Sequence, residues 1–322
     1  MTVKEPRYTE ADLAKVRPVP IAGRTNKVNP ALLATPPRDP RALAGFLDSL
    51  PDILAARDLR AVIAALAAAA GRRGVIAMIG GHVIKTGLGP LLLQLMRRGV
   101  LTHVAMNSAA SIHDFELCAY GGTSEDVAAG LADGTFGMAE ETGRDMNAAI
   151  ARGRAQGWGM GEALARALAS RQALPGRAHS VLLGALELGV PVTVHAAIGT
   201  DITHQHPQAD GAAIGETSMR DFRRLAGSVS ALHEGGVVLN IGSAVIMPEV
   251  FLKALTVARN LGGGRPTDFT AVDMDMLRHY RPRMNVVERP TLAGGRGITL
   301  TGHHEIMVPL LVWGLEAALA AR

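Results

Sequence analysis

Cysteine is almost absent: Cys118 stands alone among 322 residues. No intrachain disulfide can form, a four-cysteine zinc site is excluded, and a reducing compartment, the cytoplasm, is the expected location. Lysine is scarce too, at Lys4, Lys15, Lys27, Lys85 and Lys253. The formal charge of +4 therefore rests on arginines scattered along the chain. Such scatter makes no basic stripe, and no nucleic-acid partner is expected. Aromatics, at 3%, leave little material for base-stacking platforms. No apolar run approaches the roughly 18 residues of a membrane span. The first thirty residues mix charges with prolines and hold no signal-type apolar core. The sequence predicts neither a membrane association nor a secretory leader.

What is present is aliphatic and globular, with 48% hydrophobic residues against 19% charged. Pro18, Pro20, Pro30, Pro36, Pro37 and Pro40 predict an extended arm over residues 1–45. Residues 46–322 read as a single α/β domain. Leu47–Ala70 has a helical pattern, interrupted by Pro51. Short apolar runs then predict strands at Val75–Ile79, Leu101–Met106, Pro191–Ile198, Val237–Leu239 and Asp268–Asp273. Between them lie helical patterns at Leu91–Arg98, Ser124–Arg171, Ser180–Leu188, Ser218–His233 and Pro248–Asn260, and Glu305–Ala321 closes the chain. Strand–helix alternation of this kind predicts a Rossmann-like parallel sheet flanked by helices.

In such a sheet ligands bind beyond the carboxyl ends of the strands, where loops and helix N-termini present backbone N–H groups. Those ends read Gly80-Gly81-His82, Asn107-Ser108, Gly199-Thr200-Asp201, Asn240-Ile241-Gly242-Ser243 and Asp273-Met274-Asp275. Glycine there admits close approach of backbone to a ligand, and Asp201 or Asp273 suits a ribose hydroxyl or a helix cap. Histidines gather in the same loops. His113 and Asp114 are candidates for acid–base catalysis, or else belong to a helix N-terminal turn. Lys85 fits a phosphate or imine role, or an exposed helix start. His204 and His206 have a spacing that metals use, which supports an alternative reading as a metal-dependent hydrolase or lyase, joined by His303, His304 or Glu305.

The motifs, in order, resemble those of the deoxyhypusine synthase family across roughly residues 70 to 318. Gly81-His82-Val83-Ile84-Lys85-Thr86-Gly87 and Asn107-Ser108-Ala109-Ala110 are similar to that family's first two NAD-contacting loops, with His113-Asp114 in place of an acidic segment. Pro191-Val192 opens a strand resembling the one that leads to its aspartate loop, here Gly199-Thr200-Asp201. Val238-Leu239-Asn240-Ile241-Gly242-Ser243 and Asp268-Phe269-Thr270-Ala271-Val272-Asp273 resemble its next strands. Gly302-His303-His304 takes the place of a cofactor turn, followed by the matching Pro309-Leu310-Leu311-Val312.

The resemblance implies an NAD-binding fold, a homotetramer, a small-molecule substrate of polyamine type, and group transfer through a late lysine. No lysine follows Lys253. The expectation is therefore an NAD-dependent enzyme on a small amine, other than an authentic deoxyhypusine synthase. Gly81, His82, Asn107, Ser108, Asp201, Gly242, Ser243, Asp273 and His303 would hold the cofactor, with His113, Asp114, His204 and His206 at the chemistry. A non-catalytic ligand-binding protein is the other alternative.

Overall fold

Val75–Ile79 (β1) is five apolar residues in a row, and all five are buried. Both faces of the strand are covered: Val75, Ala77 and Ile79 enter one core, Ile76 and Met78 another. An unbroken apolar run is what a strand buried on both faces requires. The structure, a computed structural model, describes residues 12–33 and 41–321. Residues 1–11 and 34–40 of the expected arm, and Arg322, lie outside the described residues.

Five further strands follow: β2 (His103–Asn107), β3 (Val192–His195), β4 (Val237–Ile241), β5 (Phe269–Asp275) and β6 (Gly295–Thr301). They form one sheet in the order β3-β2-β1-β4-β5-β6, and every pairing is parallel. This is a Rossmann-like fold, and its strand order reverses between β1 and β4, the place where such sheets open a ligand crevice.

The helices are α1 (Arg41–Ser49), α2 (Leu54–Ala69), α3 (Gly81–Lys85), α4 (Gly89–Arg97), α5 (Ser108–Tyr120), α6 (Val127–Asp133), α7 (Glu140–Gln156), α8 (Met160–Ala169), α9 (Val181–Leu188), α10 (Gly211–Val229) and α11 (Ile246–Leu261), with a helical run over 280–291 and a closing helix at His304–Ala320, besides short 3-10 turns. Two expectations are corrected. Leu47–Ala70 divides into α1 and α2 around Pro51. The expected helix over Ser124–Arg171 is three, because Gly134 and Gly157 end α6 and α7 in the left-handed region, at φ of 79° and 72°. No helix among the described residues is long and apolar enough to cross a membrane.

The N-terminal segment is stitched to the long β2–β3 connection. Val19 pairs with Ala139 and Val28 with Thr123, and Ile21 N–H donates to Glu141 Oε2 at 2.7 Å. Backbone bonding at both ends fixes the path of the segment between them, including Arg24.

On the sheet face under α10, His103 and His195 are buried on a shared threonine. His103 Nε2 lies 2.9 Å and His195 Nε2 3.0 Å from Thr193 Oγ1, while His103 Nδ1 meets Ser228 Oγ at 2.8 Å. Burial lowers both histidines from 6.5 to about 3. A histidine depressed on folding supplies stability above pH 6.5 that is lost as pH falls toward 3. Replacing His103 with glutamine is therefore expected to flatten the fall of unfolding free energy between pH 6.5 and 4 by roughly 1 kcal/mol per pH unit, measured by urea titration. An unchanged slope would mean that His103 already carries its proton in the fold.

Candidate active site

At the reversal point the two strand ends touch. A Cβ on Gly80 would fall 1.9 Å from the carbonyl oxygen of Gly242, so only glycine lets β1 and β4 turn away from each other this closely. Gly242 sits at φ 63°, with His304 against it. Around this point Asn240 donates to Asp273 Oδ1 at 2.8 Å and to the Ser243 carbonyl at 3.0 Å, and Ser243 Oγ accepts the Met247 N–H. Burial pushes the Asp273 carboxyl up to about 6. Asn240 Oδ1 and His304 Nδ1 are buried without hydrogen-bond partners among the described residues. Backbone bare of side chains beside unsatisfied polar atoms is what a site completed by a polar ligand leaves, and these residues fit a dinucleotide.

Next to the crevice lies a cavity of about 230 Å³ over the ends of β1, β2 and β3. Lys85, His113, Glu116, Glu125, Asp201 and Arg24 supply its charged and titratable lining, with Ala109, Ile112, Phe136 and Ile202 among the apolar part. Crevice and cavity meet at Gly81, whose absent Cβ would stand 3.2 Å from His113 Cδ2.

The polar wall is a connected chain. Arg24 sends Nη1 to Glu116 Oε1 and Nη2 to Glu116 Oε2, each at 3.0 Å. Asn26 Oδ1 holds the same guanidinium from its other side. Thr142 donates to Glu116 Oε1 at 2.8 Å, Thr123 donates to Oε2 at 2.5 Å, and Thr123 Oγ1 lies 2.8 Å from His113 Nδ1. Burial drives the His113 pKa down to about 4, with Lys85, Arg24 and His82 adding to the effect against Glu116. Across the cavity, burial raises the carboxyls of Asp201 and Glu125. Asp201 is held by Thr200 at 3.2 Å, and His204 Nε2 is 3.5 Å away. Lys85 has no ion pair or hydrogen bond among the described residues.

The structure brings together Gly81, His113 and Asp201 around the cavity, with Ser108 beside Asp201. Gly242, Ser243 and Asp273 gather at the crevice, with His82 edge-on to His304 at 5.4 Å between centroids. Other expected residues go elsewhere. Asn107 caps α5 through Ala110 N–H. Asp114, 2% exposed, caps α9, accepting from Ser180 Oγ and from the N–H groups of Val181 and Leu182. His206 is buried against Gly143 and bonded to the Gly137 carbonyl, while His204 accepts from Gly199 N–H. His303 is exposed beside Glu305. Among the described residues no three His, Cys, Asp or Glu side chains are grouped to hold a metal ion.

Arg24, Glu116, Thr123 and Glu125 escaped the sequence reading. Arg24 belongs to the proline-rich segment, and nothing local in it marks a partner 92 residues away; Thr123 lies in a loop 7 residues past Glu116, with nothing local to mark it as a link.

No family model matches the chain, and no curated protein does. Among solved structures it is similar to a chain ascribed to the LOR/SDH group from Methanococcus maripaludis S2, at 17% identity over 88% of this chain and 73% of that one, TM-score 0.47. It is similar to AgrE in ternary complex with ornithine and NAD+, at 16% identity over 83% of this chain and 34% of that one, TM-score 0.51. A chain ascribed to deoxyhypusine synthase from Entamoeba histolytica shares 11% identity over 80% of this chain and 87% of that one, TM-score 0.48. The chain thus spans about a third of AgrE. At such identities the likeness is one of fold, and of these three AgrE carries it: the chain has the Rossmann-like architecture of one segment of that protein.

Proposed function

We propose that this protein is an NAD-dependent enzyme acting on a small amine. The observation that carries the reading is His113: an imidazole held neutral by burial, in the wall of the cavity, one residue contact away from the β1–β4 crevice. The ternary complex of AgrE with ornithine and NAD+ supports a dinucleotide and an amine on this fold. Gly81, His82, Gly242 and Ser243 would hold the dinucleotide, with Asp273 and Asn240 beneath it. When bound, NAD supplies a hydride acceptor.

An amine reaches the protein as an ammonium ion, which has no lone pair with which to assist loss of hydride from its carbon. Asp201 and Glu125 would orient the cation, and His113 would take one proton from its nitrogen at Nε2, becoming imidazolium. The apolar lining of Ala109, Ile112, Phe136 and Ile202 excludes water and strengthens these contacts. The test is an amine panel with NAD, followed by absorbance of reduced NAD, in the wild type and in His113→Gln. Turnover that His113→Gln abolishes supports the reading. Tight NAD binding with no turnover of any amine would point instead to a ligand-binding protein.

A further inference from the structure

A histidine that accepts a proton at Nε2 must keep Nε2 bare, and a free neutral imidazole in water carries its hydrogen on either nitrogen. Here the choice is made by Glu116 and Thr123, close to His113 in sequence, and by Arg24 from the distant N-terminal segment. Glu116 is clamped by the Arg24 guanidinium on both oxygens, and so can only accept hydrogen bonds. Thr123 has one hydroxyl proton, and at 2.5 Å it goes to Glu116. Its oxygen is left to accept, so the 2.8 Å contact with His113 is made by an Nδ1–H donor. Nε2 has no partner among the described residues and is not sealed from the cavity.

We propose that Thr123 and Glu116 are positioning residues that fix His113 as its Nδ1–H tautomer, with Arg24 of the N-terminal segment holding Glu116 as an acceptor. The proposal rests on His113 being the base. When Nε2 takes a proton, Nδ1–H stays on Thr123, and the positive charge of the ring is offset by Glu116 one hydroxyl away. No proton passes along the chain. The groups facing His113 are Glu116, which favours its charged form, and Lys85, Arg24 and His82, which oppose it; the carboxylate acts through a threonine, so the ring keeps its lone pair at rest and gains a counter-charge on protonation.

The test is long-range proton–nitrogen NMR of the full chain with nitrogen-labelled histidine, without NAD or amine, the His113 signals being those missing in His113→Gln. The wild type is expected to show a protonated, pyrrole-type Nδ1 and a bare, pyridine-type Nε2 near pH 7. In Thr123→Val, which keeps the shape and loses the hydroxyl, the two signals should exchange places in most molecules, and Thr123→Ser should restore them. In Glu116→Gln the amide can donate to Thr123, turning its hydroxyl toward His113 and producing the same exchange. A bare Nδ1 in the wild type would overturn the proposal outright, whether or not any variant folds, and so would a Thr123→Val spectrum like the wild type. Failure of NAD to bind sinks the proposed function and leaves this spectrum unchanged, so the two can fail separately.

Discussion

Arg24→Ala is expected to destabilise the protein by about 3–5 kcal/mol, the cost of leaving one member of a buried ion pair behind. The side chains of Arg24 and Glu116 are 9% and 2% exposed. Water can therefore replace the guanidinium only by entering the wall of the cavity. Glu116 would keep the hydroxyls of Thr123 and Thr142 and lose the charge-assisted bond from Nη1 and the ion-pair contact with Nη2. Surface pairs such as Arg177 with Glu187, each about half exposed, are open to screening, and their loss should be close to silent. The double variant Arg24→Met/Glu116→Gln should recover much of the loss, because it buries no unpaired charge. Urea unfolding of the single and double variants measures this. A loss below about 1 kcal/mol in Arg24→Ala would show that the N-terminal segment is not part of the cavity wall in solution.

For any amine the protein turns over, His113→Gln should lower kcat by about 10²–10⁴-fold, the usual worth of a positioned general base. NAD affinity should change little, since the contacts assigned to the cofactor lie on Gly81, His82, Gly242 and Ser243. The pH profile of kcat/KM carries a sharper signature. An unburied histidine gives an acid limb near 6.5, whereas His113, held down to about 4, should keep the rate level until pH falls close to that value. The base is the deprotonated form, so activity is retained above its pKa and lost below it. An acid limb near 6.5 that survives in His113→Gln would assign the base to another residue.

Five of the six strands were legible in the sequence because they are buried on both faces, whereas β6, largely exposed, offered no apolar run to read. Val75–Ile79 and Val237–Leu239 are unbroken apolar runs, and such runs next to glycine admit few other readings. The crevice followed from the same signal, since Gly80-Gly81 and Gly242-Ser243 end the two strands between which the order reverses. The cavity was less legible. His113 and Asp114 are adjacent in sequence, yet successive helical residues point about 100° apart, which sends His113 to the cavity and Asp114 to the N-terminus of α9. No local pattern separates them. His204 and His206 looked paired by spacing, but the 3-10 turn at Ile202–Gln205 directs one to Asp201 and the other into the core against Gly143. Glu116 and Arg24 meet only because residues 12–33 pair with loops of the long β2–β3 connection, a tertiary fact with no periodic trace.

Calorimetry of NAD with the ligand-stripped protein tests most directly whether a dinucleotide binds over the β1–β4 crevice. Saturable binding in the micromolar range at one site per chain is expected. Absence of heat with either NAD or its reduced form at millimolar concentration would contradict it.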